Sequence, residues 1–292
     1  MKPRITTVIT DLDNTLWDWV EIWYRPFNAM LDRLIERSGV PRERLEQEIR
    51  RIHQKYGTSE YAFLIEELPC LQEKHPGAEL TAVYGDAIEA YRAERNLTLR
   101  LYSGVENTLL HLHQTGCLLV GYTESTAYYT RYRLRKTGVD AMLDFLYSPE
   151  DHELPSSPED IRLYPKEKYE LSCTEHRHTP HGELKPNPHI LEKILHDIGS
   201  SPQETLYVGD SKMKDIAMAQ SVGALDAWAK YGMAQHTDAY ALLRRVSHWT
   251  DQAVEAEKML LIRDEVTPSI TLESFSDIRN VADFEPHRSR AV

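Results

Sequence analysis

The stretch Val8–Leu16, Val-Ile-Thr-Asp-Leu-Asp-Asn-Thr-Leu, constrains this chain more than any other. An apolar run stops at Asp11, and a second acid, Asp13, follows two positions on. Residues two apart share one side of a strand only while the strand stays extended. Asn14 and Thr15 signal a turn, which breaks that regularity and leaves two carboxylates and a main-chain carbonyl crowded at the strand's C-terminal tip. Such crowding is costly unless a cation or a shared proton relieves it. The plain alternative is a polar strand end whose Asp and Asn side chains close local turns.

Three later segments bear on that choice. In 118–125, Leu-Leu-Val-Gly-Tyr-Thr-Glu-Ser, an apolar run reaches a hydroxyl, Thr123, just before a helical stretch. A hydroxyl beside free N–H groups at a helix start suits a phosphate, but read alone the segment favours the plainer role, Thr123 or Ser125 capping the helix. Lys185 sits in Glu-Leu-Lys-Pro-Asn-Pro-His, where two prolines fix the backbone ahead of a helix predicted from near Pro188. A lysine there can bring a compact charge to a phosphoryl oxygen, although a surface lysine is the commoner case. Finally, Thr205–Val208 runs into Gly209-Asp210, with Asp215 following. Gly209 permits a tight turn. The two acids can hold a metal and its waters, or serve as an N-cap and a first-turn acid favoured by the helix dipole.

Taken in order, Asp-x-Asp-x-Thr, a Thr after an apolar strand, Lys-Pro, and Gly-Asp with a second Asp beyond resemble the haloacid dehalogenase superfamily of hydrolases. Gly104, the helical Val105–Gln114 stretch and Gly116 lead into the second motif as is common there. The resemblance implies an α/β fold, a doubly wound parallel sheet (Rossmann-like) with an α-helical cap domain inserted between the first and second motifs. It implies a phosphatase acting on a small phosphorylated metabolite through an aspartyl-phosphate, with Asp11 as nucleophile. Mg2+ would be the cofactor, held by the Asp11 carboxylate, the Asp13 main-chain carbonyl and Asp210, with Asp215 close by. Thr123 and Lys185 would bind the phosphoryl group. Asp13 would protonate the leaving oxygen and then activate water. A carboxylate at position 13 together with Asp210 and Asp215 favours phosphatase chemistry over the related transport ATPases and dehalogenases. A phosphomutase or phosphotransferase uses the same residues and stays an alternative, as does an idle copy of the fold used for binding. Glu124 is a departure: the family often has Asn there, so the exchange bears on a phosphate or substrate contact and not on the nucleophile.

The whole chain has 292 residues and a formal net charge of −12, which argues against a nucleic-acid or anionic-membrane surface. Attraction for phosphate must then be local. The compact basic run Arg131–Lys136 reads as solvated helix surface. Cys70, Cys117 and Cys173 are scattered and odd in number, suggesting reduced thiols. No stretch approaches the roughly 20 apolar residues that span a bilayer, and no signal peptide is evident, so the cytoplasm is the expected location. Monomer and homodimer are both open.

Strands predicted at 5–12, 118–123, 145–148, 205–210 and 224–229 alternate with helical segments, the pattern of a parallel sheet covered on both faces. The catalytic core is assigned to 1–16 and 98–292 and the helical cap to 17–97. Within the cap, Val20, Trp23, Phe27, Met30, Leu31, Leu34 and Ile35 recur at helical spacing, Pro41 reads as a second helix start, and Leu80–Glu94 reads as a further helix. Trp17, Trp19, Trp23 and Tyr24 either line the pocket or form cap core, with Trp17 the best candidate for substrate specificity. Residues 148–184 form a polar insertion containing Cys173, His176, His178 and His181. These suit zinc, a substrate contact or, most commonly, solvated loop histidines. The chain from about residue 232 exceeds what the core needs. Leu242, Leu243, Val246 and Trp249 make a helical stripe expected to pack on the core, or else at a dimer contact. Ser269–Val281 resembles the closing strand and helix of the family core.

Overall fold

The apolar runs ending at Asp11, Thr123 and Asp210 become adjacent strands in the computed structural model, which describes residues 2–151, 166–180, 182–233, 238–252 and 266–289. In chain order the strands are β1 (Arg4–Ile5), β2 (Thr7–Thr10), β3 (Leu118–Tyr122), β4 (Phe145–Pro149), β5 (Glu175–Thr179), β6 (Thr205–Gly209), β7 (Leu225–Ala229), β8 (Ile270–Leu272) and β9 (Asp283–Phe284). Seven form one sheet in the order β5-β4-β3-β2-β6-β7-β8, with every pairing parallel. β1 and β9 pair separately. Every residue of β2, β3 and β6 is buried, as expected for central parallel strands covered on both faces. The chain order reverses at β2, whose neighbours are β3 and β6, so the crevice beyond their C-terminal ends is the natural ligand site.

The chain divides into two compact units: Met1–Asp18, Arg100–Met233 and Glu265–Val292 form one, Trp19–Leu99 and Ala234–Asp264 the other. The second is helical: α1 (Trp19–Ser38), α2 (Arg42–Tyr56), α3 (Leu64–Glu67), α4 (Pro69–Lys74), α5 (Leu80–Val83) and α6 (Gly85–Thr98). Val20, Trp23, Phe27, Met30, Leu31 and Leu34 are the buried stripe of α1, while Ile35 is only part-buried. The helix expected over Leu80–Glu94 is instead two, broken at Tyr84. Gly85 weakens helix continuity there, and Tyr84 turns its side chain into the interior, 1% exposed.

In the sheet unit, α7 (Val105–Thr115), α8 (Ala127–Thr137), α9 (Pro188–Asp197) and α10 (Ala217–Val222) connect the strands. α9 and α10 set Ile190, Leu191, Ile194 and Met218 against Ile9, Val120 and Tyr207. α7 ends at Gly116, whose φ of 87° forms a left-handed cap.

Two further features depart from the sequence expectations. β5 lies inside the polar insertion and, among the described residues, pairs only with β4. Its Glu-His-Arg-His-Thr sequence carries no apolar run, which suits an edge strand. His181 and residues 152–165 of that insertion lie outside the described residues. The Leu242–Val246 stripe, expected against the core, is placed in the helical unit. It belongs to α11 (Asp238–Val246), which packs with α1 and α2 in the helical unit. Arg245 Nε donates to Glu46 at 2.9 Å. His53 Nδ1 donates to the Val246 carbonyl at 2.6 Å.

That histidine is 1% exposed, and burial pushes its pKa from 6.5 down to about 4. The unfolded chain therefore binds the proton that the fold excludes, and stability is lost as pH falls from 6.5 towards about 4. The full effect is about 3 kcal/mol. Melting temperatures of wild type and His53→Gln should diverge at neutral pH and converge through that window. Parallel curves would remove the assignment.

Candidate active site

β2 keeps its pairing into Asp11, whose N–H donates to the Val208 carbonyl at 2.8 Å. The chain then turns. Asn14 takes a φ of 59°, a left-handed conformation that Asn tolerates, and Leu16 N–H donates to Leu12 at 2.7 Å. The turn brings Thr15 Oγ1 back to Asp11 Oδ2 at 3.2 Å. Beyond β6, Lys212–Ile216 form a π-helical turn that runs into α10 and folds Asp215 back towards the strand. Ser211 N–H donates to Asp215 Oδ2 and the Tyr207 hydroxyl to its Oδ1, both at 3.1 Å. A Cβ at Gly209 would lie 2.3 Å from Asp215 Cγ, so only glycine leaves room for this carboxylate.

Lys185, just before α9, fills the centre. Its Nζ donates to Asp11 Oδ1 at 2.6 Å, to Asp215 Oδ1 at 3.0 Å and to the Tyr122 carbonyl at 3.0 Å. Asp11, Asp210 and Asp215 each offer a carboxylate oxygen within 4.8 Å of the others. The segments bearing Asp11, Lys185, Asp210 and Asp215 thus converge on one place.

Three carboxylates here meet one ammonium. Burial raises Asp11 to about 7, with Lys185 opposing the shift and Asp215 adding to it. Burial, then Asp11 and Asp215, hold Asp210 well above the usual carboxylate range. Burial works against the charge on Lys185, but Asp11 and Asp215 overcome it and hold its pKa well above the ordinary lysine value. Three hard carboxyl donors thus share one ammonium and are pushed towards holding protons, and these residues fit a divalent cation of the Mg2+ type, which would take the place of those protons.

Asp13 stands outside the carboxylate group. Trp17 Nε1 donates to its Oδ1 at 2.7 Å, Ser125 Oγ to its Oδ2 at 2.5 Å, and Arg133 Nη1 lies 3.6 Å from Oδ1. Trp17 is wholly buried, so its ring meets protein and not open space. Thr123 is buried, and its Oγ1 accepts the Ser125 N–H at 3.1 Å, which leaves its hydroxyl proton available to another acceptor. Neither Thr123 nor Ser125 caps α8, which starts after Thr126 with no side-chain cap. Glu124 accepts from Lys185 N–H through Oε1 and from Lys214 Nζ through Oε2, both at 2.6 Å.

Several contributors carried no signal in the sequence. Arg133 lies within the basic run read as solvated, yet is 3% exposed and pairs with Asp13. Tyr231 donates to the Thr15 carbonyl at 2.7 Å. A Cβ on Gly232 would fall 1.8 Å from the Asn14 carbonyl oxygen. In the polar insertion, His176 Nε2 meets Ser148 Oγ at 2.8 Å, and its ring is tilted by 52° against that of His178 with ring centres 4.5 Å apart. Cys173 is exposed. Among the described residues, the group able to hold a metal through three side chains is Asp11, Asp210 and Asp215, and it includes none of these.

A family model for haloacid dehalogenase-like hydrolases matches residues 5–223, and the chain belongs to that family. It is a hydrolase built on the family's α/β core. The glyceraldehyde 3-phosphate phosphatase of Methanopyrus kandleri is 25% identical over 238 residues, covering 79% of this chain and 86% of that protein. Among solved structures, a 2-haloacid dehalogenase from Pseudomonas syringae pv. Tomato is similar at 19% identity with a TM-score of 0.53, covering 95% of this chain and 97% of that one. A HAD phosphatase from Thermococcus onnurineus is similar at 19% identity with a TM-score of 0.52, covering 97% and 100%. These likenesses concern the fold. Among the described residues, no helix is long and apolar enough to cross a membrane.

Proposed function

We propose that this hydrolase is a Mg2+-dependent phosphomonoesterase acting on a small phosphorylated metabolite. The carrying observation is the Asp11 carboxylate, 2.6 Å from Lys185 Nζ and within 4.8 Å of Asp210 and Asp215. An Asp11 oxygen attacks phosphorus and the ester P–O bond breaks, giving an aspartyl-phosphate on this side chain. Asp13 gives its proton to the departing oxygen, then takes one from water as that water attacks the phosphoenzyme and frees inorganic phosphate. Lys185 and the Thr123 hydroxyl neutralise and orient the phosphoryl oxygens. The Asp11 and Asp210 carboxylates and the Asp13 carbonyl, with Asp215 beside them, would hold Mg2+, which supplies positive charge to the phosphoryl group when bound. Trp17, Ser125 and Arg133 orient the Asp13 carboxylate.

The name of the Methanopyrus relative directs a substrate screen first to triose phosphates and similar small metabolites. With an aryl phosphate, the protein should release inorganic phosphate in Mg2+, stop on chelation with EDTA and recover when Mg2+ is restored. No release from any phosphomonoester in the presence of Mg2+ would overturn the reading. Transfer to a second hydroxyl without phosphate release would instead make it a phosphotransferase.

A further inference from the structure

We infer that Glu124 and Lys214 form a charge-compensated strut that positions Lys185 while keeping the Glu124 charge from repelling the phosphoryl group; this rests on the phosphatase reading. Glu124 follows Thr123 at the end of β3, and Lys214 precedes Asp215 in the π turn. One carboxylate therefore ties together three separate segments: the tip of β3, the main chain at Lys185 and the turn that presents Asp215. Lys185 is held at both ends, its N–H on Glu124 Oε1 and its Nζ on Asp11 and Asp215.

The main-chain N–H of Lys185 needs only an acceptor, and a neutral amide would supply one. A carboxylate supplies it together with a full negative charge beside an anion site, where like charge opposes phosphate binding. The field of Glu124 reaches the centre, because it is among the groups that raise both Lys185 and Tyr122. Lys214 Nζ meets the second oxygen of the same carboxylate at 2.6 Å, with side-chain exposures of 47% for Lys214 and 25% for Glu124. The lysine is thus placed to cancel the charge that Glu124 introduces. The pair acts on Lys185 and on the local field and does not itself touch the reacting atoms: these are positioning residues.

The inference predicts an asymmetry that a packing role lacks. Losing Lys214 alone exposes the carboxylate, whereas losing both charges removes the problem. The test uses the full-length protein with Mg2+ and inorganic phosphate as probe, read by calorimetry and as a competitive inhibitor of aryl phosphate hydrolysis. Lys214→Met should weaken phosphate about tenfold, the scale of one unit charge acting across a partly exposed site. The loss should fall mainly on KM and grow at low ionic strength. The double variant Glu124→Gln with Lys214→Met, in which the amide still accepts from Lys185 N–H, should recover phosphate affinity to within about threefold of wild type. Lys214→Gln carries the same comparison if the methionine variant does not fold, as judged by thermal melting. Unchanged phosphate binding in the Lys214 variant, or a double variant as impaired as the single, overturns the strut. Wild-type protein that neither binds phosphate with Mg2+ nor releases it from an ester overturns the phosphatase reading and the strut together.

Discussion

Asp11→Asn should abolish phosphate release, with turnover falling on the order of 10^4-fold or more, the scale seen when a covalent nucleophile is removed. The amide has nearly the same shape, and with its oxygen turned to Lys185 Nζ it keeps the shorter of the two contacts, while its NH2 faces the Thr15 hydroxyl, which can then serve as acceptor. The effect is therefore chemical, since an amide cannot form the acyl phosphate. The same change removes one of three crowded carboxyl groups whose ionisation burial opposes, so the metal-free variant should melt no lower than wild type. Steady-state phosphate release and a melting curve in EDTA check both halves. An active Asn variant would remove Asp11 from the nucleophile role.

Lys185→Met should act in the opposite direction on stability. The ammonium touches Asp11 and Asp215 at 2.6 and 3.0 Å, and its side chain is 2% exposed. Removing it leaves the carboxylates uncompensated in a buried place, which costs about 3–5 kcal/mol when one partner of a buried charge pair is deleted. Mg2+ should restore part of that loss, because a divalent cation replaces the missing positive charge, and it should raise the melting temperature of the variant more than that of wild type. Turnover should fall by about 10^2–10^3 through loss of charge stabilisation at the transferring group. A metal-free variant as stable as wild type would show that charge balance does not hold these acids together.

The strands and the positions of the acids were legible because each motif sits where an apolar run meets a turn. Burial on both faces demands the run, and the C-terminal tip of a parallel strand is where a polar side chain can face the ligand crevice. Where those two signals were missing, the sequence was silent. β5 is polar because it is an edge. The Leu242 stripe said that one face of a helix is covered, but amphipathic spacing does not name the partner, and the structure supplies α1 and α2. Arg133 was hidden inside a run of like charges. A helix turns its residues to different sides, and this one faces Asp13 while Arg131 pairs with Asp151 and Glu170. Gly232 could not be found from spacing at all, since the reason for a glycine there is the carbonyl of Asn14, remote in the chain.

The place of β2 in the sheet sets a schedule for biosynthesis. Thr7 pairs with Leu118 on one side and with Thr205 on the other. As the ribosome extends the polypeptide from its N-terminus, the central strand waits for more than a hundred residues before its first partner emerges, and nearly as long again for the second. An arrested nascent chain stopped short of β6 holds Asp11 on an open edge, without Asp210 or Asp215. The proton- or metal-dependent cost of gathering these acids is thus deferred until most of the polypeptide has left the exit tunnel.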